Sequence, residues 1–143
     1  MYDKVAAVRL GQQFKKVYDK KLVSVQETYQ LTRVDLDILI FLNNHNNMDR
    51  AKDIVKCRMI AKSAVSKAID ELIQRGYITS HMDDHDRRTT HLTVTEKAKD
   101  VVLATERVQE EICQVLYHGI TKEEREMLNR IATKISDNIE KEL

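Results

Sequence analysis

Residues 61–76 read AKSAVSKAIDELIQRG, and this run constrains the fold more than any other. Val65, Ala68, Ile69, Leu72 and Ile73 recur at i, i+3, i+4, i+7 and i+8, so they share one face of an α-helix that has to be buried. Ser63, Ser66, Lys67, Asp70 and Gln74 project the other way. Arg75-Gly76 closes the helix, first with a cation suited to the negative end of the helix dipole and then with the residue that best tolerates a left-handed cap. Immediately afterwards the apolar period changes from helical to alternating. YITSHM and TTHLTV are β-prone runs with Ile78, Leu92 and Val94 as inward positions. The intervening HMDDHDRRTTH predicts a hairpin with a long charged tip.

The other elements are helical. Among 143 residues there is no proline and there are three glycines, which leaves few interruptions for helices. Residues 4–22 place Val5, Val8, Phe14, Val17, Tyr18 and Leu22 at helical spacing. Thr32 is a good N-cap for a helix with Leu36, Ile38, Leu39, Ile40 and Phe41 inward, ending in the Asn-rich 43–47 stretch. A short helix follows Asn47 or Asp49, with Ala51, Ile54 and Val55 inward. Thr95 is expected to cap a long helix to about His118, with a stripe of Ala98, Val101, Val102, Val108, Ile112, Val115 and Leu116. The capping-box pattern Thr121-x-x-Glu124 opens the last helix, which carries Met127, Leu128, Ile131, Ile135 and Ile139.

Length indicates one domain with its own core. With 42% apolar and 33% charged residues the chain is not disordered, and no apolar run approaches the length of a membrane helix. MYDKVAAVRL lacks the layout of a signal peptide, so a cytoplasmic location is expected, with no membrane partner. Cys57 and Cys113 form no metal-ligand spacing and are expected to be reduced, small core fillers. Net charge is only +1, but residues 52–67 carry five bases (Lys52, Lys56, Arg58, Lys62, Lys67) against Asp53 alone. That asymmetry permits a nucleic-acid face.

Two short helices joined by a brief turn, the second with a polar outer side, and then a hairpin with a basic tip, make the order of a winged helix-turn-helix. Small polar residues and a long base on an exposed helix side suit a DNA major groove about 12 Å wide. Arginines at the hairpin tip suit the adjacent minor groove or its phosphates. Over residues 54–98, AKSAVSKAIDELIQRGYITSHMDDHDRRTTHLTVTEKA and its approach resemble the MarR family of bacterial transcription regulators: a recognition helix, a wing containing D-x-R, then an L-T-E-x-G run.

The resemblance implies a mainly α protein with a small β-hairpin wing, one MarR-type domain over 1–143. Its winged helix-turn-helix lobe would span about residues 31–98, flanked by dimerisation helices at about 1–25 and 96–143. It implies that Lys62, Ser63, Ala64, Ser66 and Lys67 present the DNA-contacting side of the recognition helix. Asp86-Arg87-Arg88 matches D-x-R, so that Asp86 would orient Arg88 into the minor groove. Lys67 stands where arginine is more usual, replacing a bidentate contact with a point charge. Met59 occupies a turn position that is often glycine, Ala61 one where a serine cap is expected, and Ala98 one that is usually glycine. The implied function is a dimeric, sequence-specific transcription regulator on a pseudo-palindromic duplex operator, a repressor released by a small aromatic or anionic effector. It implies no enzyme activity and no cofactor, and no residue identifies the effector site.

Other readings remain open for residues 81–91. A catalytic site needs a concave pocket that excludes water, which a hairpin tip does not supply. Zinc needs ligands in fixed tetrahedral geometry, and His81, His85 and His91 are spread around a turn with no evident supporting partners. Relatives that sense peroxides use a cysteine in the first helix, where this chain has none. A helical protein-interaction module on a winged-helix scaffold is the alternative to a DNA-binding regulator.

Overall fold

The computed structural model describes residues 6–143; Val5, assigned above to the first helix, lies outside them. The described elements are α1 (Ala6–Tyr29), α2 (Arg33–Asn44), α3 (Ala51–Arg58), α4 (Lys62–Gln74), β1 (Ile78–Met82), β2 (Thr90–Val94), a 3-10 turn (Glu96–Ala98), α5 (Lys99–Leu116) and α6 (Lys122–Glu140). They cluster into two compact units, Met1–Gln109 and Glu110–Leu143.

In the first unit α2 is the central element, with Leu36, Ile38, Leu39, Ile40, Phe41 and Leu42 all buried. It starts where expected. Thr32 Oγ1 accepts the Asp35 N–H at 3.2 Å while Asp35 accepts the Thr32 N–H at 2.8 Å, a reciprocal capping box. α1 runs seven residues past the expected end and stops at Gln30, whose φ of 54° lets the Leu31 N–H return to the Gln26 carbonyl. Only Leu22 and Val25 of α1 are buried; Val8 and Phe14, expected inward, are exposed.

α3 is two turns long and buries Ile54 alone. Asp53 accepts from both the backbone N–H and the guanidinium of Arg50, which sets the helix start there and leaves Ala51 facing solvent rather than inward. α4 forms as predicted, with Val65, Ala68, Ile69 and Leu72 buried. β1 and β2 pair antiparallel from Ile78↔Val94 to Met82↔Thr90. Ile78 and Leu92 are buried and Val94 half-buried. Thr95 does not cap the long helix: its hydroxyl donates to the Gly76 carbonyl, and the chain enters α5 through the 3-10 turn, with Ala98 buried. Within this unit α5 buries Val101, Val102 and Val108.

The second unit holds the end of α5 and α6. Thr121 and Glu124 form the expected capping box. α6 buries none of its residues; Met127, Leu128, Ile131, Ile135 and Ile139 are each 46–54% exposed. Val115 and Leu116, read from sequence as part of a buried stripe, are exposed as well. Periodicity identifies a side that favours burial but cannot say whether the same chain covers it. The expectation of core cysteines also fails, since Cys57 and Cys113 are both free and exposed. No described helix is long and apolar enough to cross a membrane.

Candidate nucleic-acid interface

The link from α3 to α4 is three residues, Met59 to Ala61. Met59 takes a left-handed conformation, φ 53° and ψ 38°, with a side chain 82% exposed. This is the conformation glycine adopts at least cost, so the departure noted in the sequence is a strained turn rather than a different one. Ala61 is the N-cap of α4 and makes no side-chain hydrogen bond there. Lys62, Ser63, Ser66 and Lys67 are exposed and Ala64 is half-buried, while the aliphatic side of the same helix is sealed. Lys52, Lys56 and Lys62 line a shallow groove with Ser66 between α3 and α4.

The far end of α4 is fastened. Gly76, at φ 78°, donates to the Ile73 carbonyl and Tyr77 donates to the Leu72 carbonyl, the two bonds of a Schellman cap. The Arg75 guanidinium donates to the carbonyls of Tyr29 and Gln30 at 2.8 and 2.6 Å, tying α4 to the end of α1. Lys97 donates to the Arg75 carbonyl and lies over the Tyr77 ring. These ties hold the exposed side of α4 at a set angle.

The wing tip is built on two aspartates. Asp83 Oδ1 accepts the N–H groups of His85 and Asp86, both at 2.9 Å. Asp86 accepts the Arg88 N–H at 3.0 Å and the Thr89 hydroxyl at 3.1 Å. Asp86 therefore bears on Arg88 through its backbone rather than through the guanidinium. Arg87 and Arg88 are exposed and form no ion pair among the described residues.

Sequence reasoning missed how the wing is anchored. His91 on β2 sits between two carboxylates, Nδ1 at 2.7 Å from Asp49 and Nε2 at 2.8 Å from Asp83. The Leu92 N–H donates to the Asp49 carbonyl at 2.9 Å, so the α2–α3 loop holds the base of the wing twice. The hydrogen bond to Asp49, then that to Asp83, raises the His91 pKa above its usual value of 6.5. The bond from His91, followed by the two backbone N–H groups, lowers Asp83 to about 2. His81 stacks on His91 with ring centroids 5.2 Å apart. The three wing histidines thus differ: His91 does have supporting partners, contrary to the sequence reading. No signal in the chain links Asp49 to a histidine 42 positions later. Among the described residues no group of three or more His, Cys, Asp or Glu is arranged to hold a metal ion.

A three-residue turn, a helix with a sealed aliphatic side and an open polar side, and a pinned hairpin directly after it define a winged helix-turn-helix protein. The family model described as MarR family matches residues 29–89, from the end of α1 to the wing tip. The match covers the segment that carries α2, α3, α4 and most of the wing. The fold is similar to that of a MarR protein from Peptoclostridium difficile (21% identity, TM-score 0.82, covering 99% of this chain and 92% of that one). A MarR-family transcriptional regulator from Silicibacter pomeroyi is equally similar (20% identity, TM-score 0.82, 94% and 90% covered). The MepR protein of S. aureus, in a structure of a MepR–DNA complex, shares 22% identity with a TM-score of 0.75 over 96% of this chain and 99% of that one.

Proposed function

We propose that the chain is a sequence-specific DNA-binding transcription regulator that works as a homodimer in the cytoplasm, and not an enzyme. One observation carries the reading: the open side of α4 presents Lys62, Ser63, Ser66 and Lys67 beside a wing whose Arg87 and Arg88 are exposed and unpaired among the described residues. Hydroxyls and a lysine on a helix of this diameter read base edges and phosphates in the major groove, while the wing arginines reach the flanking minor groove. A relative of the same fold has been seen as a MepR–DNA complex, which supports the assignment.

A two-fold dimer presents two such units to half-sites about one helical turn, roughly 34 Å, apart, and its operator is then pseudo-palindromic. Release follows when a small aromatic or anionic effector binds better to a dimer whose lobe spacing does not match that operator, which makes the protein a repressor. Fluorescence anisotropy against the chain's own upstream genomic fragments tests the proposal. Saturable binding to a subset of fragments, at two chains per site, is expected. Equal, weak binding to every fragment, even at low salt, would overturn it.

A further inference from the structure

We propose that His91, as an imidazolium, is the positioning residue of the wing: it pins the tip to the α2–α3 loop, and DNA affinity falls as it loses its second proton. The inference rests on the DNA-binding reading above and adds to it a residue that touches no DNA.

Geometry carries the argument. Both ring nitrogens of His91 lie within hydrogen-bond distance of a carboxylate, 2.7 Å to Asp49 and 2.8 Å to Asp83. A neutral imidazole has one N–H and one lone pair, so in this position it would set the lone pair against a carboxylate oxygen. Only the doubly protonated ring satisfies both sides. The charged groups around it are few. Asp49 faces it from the α2–α3 loop, the His81 ring from β1 and Asp83 from the tip, while the Arg50 guanidinium next to Asp49 is engaged by Asp53. The two carboxylates favour the cation.

The three residues link the wing tip to the α2–α3 loop. Asp83 also accepts the His85 and Asp86 N–H groups, so its carboxylate organises the tip that carries Arg87 and Arg88. When His91 is neutral that carboxylate loses its tie to the loop. The bond from the Leu92 N–H to the Asp49 carbonyl survives, as does the pairing of β1 with β2, so the wing stays folded while its tip is released. The sign follows from the raised pKa: the tie is complete below the usual histidine value of 6.5 and is lost as pH climbs through the higher folded value. At the acid end it lasts until Asp83 is protonated, near 2.

The test uses the full chain and the His91→Gln variant, since glutamine is neutral, can donate to only one of the two sides with its amide, and does not titrate. Nitrogen-15 NMR of the free protein should show both His91 ring nitrogens still largely protonated at the usual histidine value of 6.5, with the proton lost only above it. Operator affinity at constant ionic strength should fall several-fold from about pH 6 to about pH 8.5 in the wild type. It should stay at the weaker value throughout in His91→Gln, while His85→Gln keeps the wild-type profile. A single ring N–H on His91 below pH 6.5, or a pH profile unchanged by His91→Gln, would overturn the proposal. Should the protein bind no DNA at any pH, the regulator reading fails by itself. Amide exchange at the wing tip then decides the pin: protection lost at alkaline pH only in the wild type supports it, and equal protection in both proteins removes it.

Discussion

At the scale of single residues, the positions where this chain departs from the MarR pattern it resembles have physical consequences that can be measured. Met59 holds a left-handed conformation that costs an L-residue about 1–2 kcal/mol, and its exposed side chain recovers little of that by packing. Met59→Gly should therefore stabilise the protein by about 0.5–1 kcal/mol, after allowing for the greater freedom of glycine in the unfolded chain, as read by urea denaturation. Ala61 leaves the first N–H groups of α4 without a side-chain acceptor. Ala61→Ser should add about 1 kcal/mol by the same measurement, and no gain would mean the cap geometry excludes the hydroxyl. Arg88 behaves differently, because Asp86 holds its backbone N–H, which alanine retains. Arg88→Ala should leave the melting temperature unchanged and weaken operator binding, and unaltered affinity at moderate salt would remove the wing arginine from the interface.

At the scale of elements, α4 and the wing were legible because each repeats a period that only one local structure satisfies. The switch from 3.6 to 2 at Gly76 located the boundary to the residue, and the Schellman bonds at Ile73 and Leu72 show why a glycine stands there. Thr32 and Thr121 were legible as caps because their partners, Asp35 and Glu124, lie three residues away. Thr95 was not: its acceptor is Gly76, nineteen residues back. The DNA contacts proposed for α4 should separate into specificity and affinity. Replacing Ser66 and Lys67 together by alanine should narrow the affinity gap between operator and scrambled duplex, in a competition assay with matched composition. A uniform fall for both duplexes would instead make these residues phosphate anchors.

At the scale of the molecule, the exposed apolar side of α6 is what a dimer would cover. If the proposed homodimer closes on this side, Ile131→Glu together with Ile135→Glu should shift it to a monomer in sedimentation equilibrium and abolish tight operator binding; a dimer that persists would place the seam elsewhere. Operator affinity of the wild type should fall steeply with salt, log K against log salt having a slope near −0.9 for each phosphate neutralised.

Read alone, the chain determined its helices, its hairpin, their order and the polar side of α4, because these follow from periodicity, caps and turn chemistry acting over a few residues. It could not reveal that Phe14, Cys57 and Cys113 lie open, since burial depends on which distant surfaces meet. Nor could it reveal the carboxylates flanking His91, one of them 42 positions away, or the bond from Arg75 to the end of α1. Those contacts join groups whose distance along the chain carries no pattern, and only the folding of the backbone brings them within reach.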